Sequence, residues 1–261
     1  MALLERQDRD GIAHLTLNSP GNLNALSDAM LAALQDQFDA LMNDRSIRVI
    51  ILSGEGKAFC AGHDLKEMTK GRAHDDGGAA YFGDLFNRCA RMMTTIPRLP
   101  QPVIAQVHGI ATAAGCQLVA SCDMAVAAQG TKFGVNGVNI GLFCSTPMVA
   151  LSRNITRKQA FEMLTTGQFI DADRAQALGL INRTAAPEDL AIETCALAET
   201  VAAKLGSAVK IGKQAFYEQI QMPLDSAYAF TGQVMVENML DSDTEEGIAA
   251  FLEKRDPTWT Q

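Results

Sequence analysis

The stretch from Arg48 to Met68 constrains this chain more than any other. Val49-Ile50-Ile51-Leu52 is a continuous apolar run, the pattern of a strand buried on both faces. Ser53-Gly54-Glu55-Gly56 ends it, because two glycines reach backbone angles that a strand does not use. Ala58-Phe59-Cys60-Ala61-Gly62 makes a second turn from mostly small residues, and Asp64 is placed to cap a helix starting at Leu65-Lys66-Glu67-Met68. A strand, a tight turn and a helix start gather free backbone N–H groups in one place, which stabilises an anion. Two phosphate loops are excluded. A Walker loop needs glycine where Ile51 stands and Ser or Thr where Ala58 stands, and a dinucleotide fingerprint needs a third small residue at Phe59.

The same design recurs about fifty residues on. Val103-Ile104-Ala105-Gln106-Val107 reads as a strand, His108-Gly109 breaks it, and Ala113-Ala114-Gly115-Cys116 is small enough for backbone to approach a ligand. Gln117-Leu118-Val119-Ala120 continues as a short buried helix. Two such turns point to a shared site.

The rest of the chain alternates. Ile12–Leu17 reads as a strand bearing His14, and Ser27 caps a helix whose apolar residues Met30, Leu31, Leu34, Phe38 and Leu41 keep helical spacing. Polar, glycine-containing residues 71–80 read as a mobile loop, and Tyr81 to Ile96 as a helix stopped by Pro97. Met124–Ala127 is a further buried strand, and Lys132-Phe133 opens an extended piece. Ser145-Thr146-Pro147 starts a helix, Thr156 and Gln159 suggest a capping box for another, and Asp171 begins a third that stops at Gly179. This rhythm predicts an α/β core. From Pro187 the pattern is helix only, over 187–205, 207–222, 224–240 and 244–255. The predicted division is therefore 1–186, an α/β core carrying the site, and 187–261, a helical region.

Composition bounds the function. A 48% hydrophobic, 20% charged chain of 261 residues is an ordinary soluble protein. Its net charge of −8 argues against nucleic acid as a partner. No apolar run approaches the ~20 residues of a membrane span, so no membrane partner is expected. Charges follow the first residues at once, unlike a signal peptide, and the six cysteines are scattered in apolar segments. The expectation is a cytoplasmic protein with reduced thiols. Cys60 and His63 have tight spacing but lack two further ligands, so no metal is expected.

Ala61-Gly62-His63-Asp64-Leu65 and Gly109-Ile110-Ala111-Thr112-Ala113-Ala114-Gly115-Cys116-Gln117-Leu118 together resemble the crotonase superfamily of enoyl-CoA hydratases and isomerases. The resemblance runs nearly end to end, through Leu17-Asn18-Ser19-Pro20, Asn24-Ala25-Leu26, Phe133-Gly134, Gly141-Leu142 and the tail Ala249 to Arg255. It implies a spiral of repeated ββα units, an acyl-CoA thioester as substrate with no further cofactor, and a helical tail that builds homotrimers or hexamers. It also implies an oxyanion hole made by the backbone N–H groups of His63 and Ala114, facing the enolate oxygen of the thioester. Ala25, Ala61, Gly62, Asp64, Leu65, Lys66, Gly109 and Asn139 stand at positions that would contact CoA or the acyl group, with Lys66 near the CoA phosphates. Lys213 in the tail would serve either a neighbouring subunit's site or the solvated surface.

The resemblance also marks what is missing. Hydratases of the family use two glutamates to take and give protons; here those positions hold Gln117 and Gly137. Ser145 stands where other relatives place a further acid. A general acid or base is worth roughly 10²–10⁴-fold, so only a trace of hydration is expected, and glutamates restored at 117 and 137 together should raise it. Chemistry that needs no carboxylate pair, such as decarboxylation, fits better; a catalytically weak acyl-CoA-binding protein is the other reading. His63 acts either through its backbone alone or as a proton donor through its ring, and Ser145 either caps a helix or bonds the acyl group.

Overall fold

In the computed structural model, which describes residues 2–260, the buried strand at 49–54 has neighbours on both sides. In chain order the elements are β1 (Leu4–Arg9), β2 (Ile12–Leu17), α1 (Asp28–Leu41), β3 (Val49–Gly54), α2 (Leu65–Gly71), α3 (Ala79–Thr95), β4 (Val103–Val107), β5 (Ile110–Thr112), α4 (Ala114–Ser121), β6 (Met124–Ala128), β7 (Lys132–Gly134), α5 (Pro147–Asn154), α6 (Arg157–Thr166), β8 (Ile170–Asp171), α7 (Ala172–Leu178) and β9 (Arg183–Ala185). Four helices follow: α8 (Leu190–Ala202), α9 (Gly206–Gln219), α10 (Leu224–Met239) and α11 (Ser242–Glu253). The main sheet runs β1-β2-β3-β4-β6-β9, with β1 antiparallel to β2 and the other neighbours parallel. A second sheet, β5-β7-β8, is built from short pieces.

The continuous apolar runs are explained by burial on two faces. Ile50 and Leu52 of β3, Val103, Ala105 and Val107 of β4, and Ala125 and Ala127 of β6 face the larger core, with α1, α3 and α4. Their alternates Val49, Ile51, Ile104 and Val126 face a second cluster closed by Leu190, Leu197 and Ala198 of α8. Each fully buried Leu or Ile contributes about 1.5–3 kcal/mol, so both covers are needed. The first helix after the compositional change at 187 therefore lies on the sheet itself.

α9 is tied to the core by charge. Lys213 Nζ donates to Asp123 Oδ2 at 2.6 Å and to the carbonyls of Ile96 and Gln101 at 2.9 and 2.8 Å. Tyr217 donates to Asp123 Oδ1 at 2.8 Å, and the Val103 N–H to Oδ2 at 2.6 Å. Every Lys213 proton thus has an acceptor. Burial lowers the Lys213 pKa, with Asp123 opposing. This corrects the reading of Lys213 as a subunit-bridging or solvated lysine: it is buried and spent within its own chain.

The start signals at Ser27, Asp64 and Asp171 are borne out, since all three side chains accept first-turn N–H groups. One local reading is corrected. Thr156 and Gln159 bond each other's side chains (2.8 Å), so Thr156 accepts no backbone N–H and there is no capping box. Of residues 71–80, Gly71 ends α2 and Ala79 opens α3; in the connection between them Asp76 accepts from the N–H groups of Gly78 and Ala80 at 2.8 Å, and Tyr81 packs on Gly71. Among the described residues no helix is long and apolar enough to cross a membrane.

Candidate active site

The two turns meet at the ends of β3 and β4. Cys60 pairs with Ala111 as a parallel bridge, with the Cys60 N–H donating to Ile110 O at 3.2 Å and the Thr112 N–H to Cys60 O at 3.0 Å. Gly115 packs its bare face on the Cys60 carbonyl, which any Cβ would strike. A Cβ on Gly62 would lie 3.0 Å from the Ala113 methyl and 3.2 Å from the Ala114 nitrogen. His63, next in the chain, and Ala114 are therefore neighbours across this contact.

The first turn is held by the segment before α1. Asn24 is fully buried; its amide nitrogen donates to the carbonyls of Glu55 and Ala58, both at 2.8 Å, and its oxygen accepts from the Ser19 N–H at 2.8 Å. The Ala61 N–H donates to Leu23 O, and the Leu26 N–H to Gly62 O. Asp64 accepts from Lys66 N–H (2.8 Å), Glu67 N–H (3.3 Å) and Asn22 Nδ2 (2.6 Å). Burial alone would raise the Asp64 carboxyl, but these donors outweigh it and hold it below the ordinary carboxylate value. Asn24 as the clamp of the turn was not foreseen; its only signal in the sequence is its place beside Ala25 and Leu26.

The second turn is strained. Ala113, at the start of α4, has φ +50° and ψ −119°, a region nearly reserved for glycine. Neither the His63 nor the Ala114 N–H donates to any acceptor among the described residues. Two adjacent, unused N–H groups on rigid turns are the geometry that holds a developing oxyanion.

Around them the walls are apolar. Phe86 of α3 meets the His63 ring edge-on at 5.8 Å, and Phe82 stacks beyond it. Neither ring nitrogen of His63 has a hydrogen-bond partner. Burial lowers its pKa, partly opposed by the charge of Asp28, and so favours the neutral ring. Gln117 lies on the Ala114 face of α4, 5% exposed, with its Oε1 buried and unpaired. An amide there orients a partner but carries no exchangeable charge. Burial pushes the Cys60 and Cys116 thiols up to about 12, so neither is a ready nucleophile.

The remaining sequence-read residues divide. Ala25 is buried and Ala61 partly buried within the paired segment, while Leu65 (54% exposed) and Lys66 stand open at the mouth of the first turn. Gly109 turns the chain between β4 and β5 against the Lys57 carbonyl. Asn139 is exposed, and its amide nitrogen donates to Gly167 O at 3.2 Å, which ties residues 136–140 to the end of α6. Ser145 is exposed, with its hydroxyl 3.4 Å from Phe143 O; Thr146, not Ser145, precedes α5, and no side chain caps that helix. Gly137 is buried against the Leu142 carbonyl and the Cys144 sulfur, which a Cβ would reach at 2.9 Å. This corrects the expectation that a glutamate could be restored there: the space belongs to backbone.

Chain-wide similarity agrees with this geometry. Residues 7–261 match the family model for enoyl-CoA hydratase/isomerase. The chain belongs to the enoyl-CoA hydratase/isomerase family. It is 46% identical over 254 residues to the Xenopus laevis enoyl-CoA hydratase domain-containing protein 3, mitochondrial, covering 97% of this chain and 85% of that one. Its human namesake is 47% identical over 253 residues, covering 96% and 81%. Among solved structures, an enoyl-CoA hydratase of Mycobacterium smegmatis superposes with a TM-score of 0.95 at 55% identity over 99% of both chains. The human protein superposes at 0.94 and 44% identity, over 98% of this chain and all of that one. The cytoplasmic expectation is corrected by these relatives, since the Xenopus and human proteins are mitochondrial by name. Composition and scattered thiols do not separate one reducing compartment from another.

Proposed function

We propose that this family member stabilises the enolate of an acyl-CoA thioester between the N–H groups of His63 and Ala114, in a reaction that needs no carboxylate pair. The observation that carries the reading is the adjacency of two unused N–H donors with Gln117 and Gly137 where proton-transferring glutamates would be needed. Loss of CO₂ from an α-carboxylated acyl group meets these terms. The bond from Cα to the carboxylate breaks, its electron pair forms the enolate, the two donors hold the oxyanion, and a solvent proton completes Cα. Gln117 Oε1 and the neutral His63 ring orient the acyl group in an otherwise apolar pocket. Lys57 and Lys66, both exposed beside the first turn, supply the cations for CoA phosphates.

The same reading makes the protein a homotrimer or hexamer through its last two helices. Leu224, Tyr228, Leu240, Phe251 and Leu252 are each more than 70% exposed in the single chain, more apolar surface than a monomer keeps open. Sedimentation at micromolar concentration should give three or six copies; a stable monomer would remove this part of the reading.

The deciding experiment is a mass-spectrometric panel of acyl-CoA thioesters with the purified protein. Conversion of an α-carboxylated acyl-CoA without hydration of crotonyl-CoA is the expected result. Crotonyl-CoA hydration at the rate of an ordinary hydratase would refute the proposal and require a proton donor other than the two missing acids.

A further inference from the structure

Each of the two donors is aimed by the carbonyl of its own peptide unit. A trans peptide is planar, so its C=O and N–H point in opposite directions. Whatever holds the carbonyl of Gly62 therefore aims the N–H of His63. That carbonyl accepts from the Leu26 N–H at 2.7 Å, and Leu26 and His63 form an isolated parallel bridge. At the other turn the Ala113 carbonyl accepts from the Gln117 N–H at 3.0 Å, which aims the N–H of Ala114 in the same way. The second bond comes with α4, because Ala113 is the cap of that helix. The first has no helix behind it and depends on the segment between β2 and α1.

That segment is held in one position. Leu23 and Asn24 take consecutive left-handed angles, φ +50° and +52°, which side chains other than glycine adopt at a cost. The buried Asn24 amide offsets it with its bonds to Glu55 O, Ala58 O and the Ser19 N–H. The end of β3 is bare to receive that amide, since a Cβ on Gly54 would lie 2.8 Å from Asn24 Nδ2. Pro20 seats on Gly56 in the same manner, 2.6 Å from where a Cβ would stand. Leu26 follows, with its side chain 1% exposed in the larger core.

We propose, resting on the reading of His63 and Ala114 as the donors, that the Leu26 N–H is a positioning group of the oxyanion hole, with Asn24 holding its segment in place. It fixes the plane of the Gly62–His63 peptide and touches no substrate. It also strengthens the donor, because a peptide whose carbonyl is bonded is polarised toward giving its own N–H. An N–H that swings out of line weakens steeply. Outright loss of an oxyanion donor costs roughly 10²–10³-fold, so a donor that remains but loses its aim should cost about tenfold or more.

Acetoacetyl-CoA is the probe, because its α-protons are acidic enough to give an enolate seen in the near ultraviolet. Bound to the wild-type full chain, it should become half enolate at a lower pH than in water. In one variant an α-hydroxy acid with the leucine side chain replaces Leu26, so that an ester oxygen stands in place of the N–H. In another, Asn24→Gly keeps the left-handed angle and removes the amide. Each should raise the half-enolate pH of the bound probe by about one unit or more, tenfold in enolate stability, with affinity for free CoA unchanged. A group that merely stabilised the fold would leave that pH where it was. An unshifted value in the folded ester variant would overturn the proposal, as would an unshifted value in folded Asn24→Gly where the ester variant does not fold. Equal losses for free CoA and for the enolate would mean collapse of the whole site and would overturn it too. Failure of the underlying reading shows in a different sample: the wild-type protein itself would bind the probe at its pH in water, and the proposal would fall with it.

Discussion

The two turns that deliver the N–H groups of His63 and Ala114 solve one problem in opposite ways. At the first, a positive φ falls on Gly62 (+88°), where no Cβ resists it. At the second it falls on Ala113 (+50°), where a Cβ does. The reason lies in their contact: the Ala113 methyl occupies the space a Gly62 side chain would need. Only one of the pair can carry a methyl group. The relaxed turn leaves room for the strained one, and the strain is held by the Ala113 N–H bond to Gly134 O at 2.9 Å and by the Gln117 N–H bond to Ala113 O at 3.0 Å.

The largest expected effect removes one donor outright. Ala114→Pro keeps a residue suited to the first helical position but deletes its N–H, so turnover should fall by roughly 10²–10³-fold, with thioester binding weakened as well. Steady-state kinetics on the substrate found by the panel, with a melting curve to confirm folding, would check it. Unchanged turnover in a folded variant would mean that Ala114 is not a donor.

Next is the interlock. Gly62→Ala places a methyl 3.0 Å from both Ala113 Cβ and Thr112 O on a backbone with φ +88°, and should cost about 1–3 kcal/mol by denaturant unfolding. Pairing it with Ala113→Gly should recover the steric share and leave the strain at 62. A double-mutant cycle should then show a coupling of about 0.5–3 kcal/mol. Strict additivity would mean that the two turns do not share this space.

Ala113→Gly alone is a smaller change. It relieves about 1–2 kcal/mol of left-handed strain and costs about 0.5–1 kcal/mol of chain entropy, so stability should stay level or rise by up to about 1.5 kcal/mol. A loss of stability would show that the methyl packs rather than strains.

The smallest effect is in pH. The buried His63 ring has a pKa below the ordinary 6.5, so the unfolded chain binds a proton there before the folded one does. Stability should therefore decline as pH falls below 6.5, level out once the folded ring protonates, and be flat in this contribution above it. His63→Gln should shallow the decline seen in urea melts from pH 7 to 5. Burial likewise lowers the His14 pKa, and its share remains in the variant.

Much of this was determined by sequence. Val49 to Leu52 read as a strand covered on both sides, because four apolar residues in a row, three of them β-branched, leave no face for water. Ser27, Asp64 and Asp171 marked helix starts because a cap acts within three residues of itself. Two small-residue turns and the chain-long resemblance pointed to the family, and Gln117 and Gly137 could be read at the positions where that resemblance implies glutamates. Tertiary structure decided the rest, because those features depend on residues far apart in the chain. Ala113 takes a glycine's angles because Gly62, fifty-one positions earlier, makes room for its methyl. Gly137 admits no side chain because Leu142 folds back on it. The short strands β5, β7 and β8 carry too few residues to show a period, and exist only because they pair. Lys213 looks like any surface lysine until Asp123, ninety residues away, takes its proton bond in the core. Local signals fix what a segment does with its own backbone; which charge is buried, which methyl is tolerated and where a cavity opens are fixed only when distant segments share the same volume.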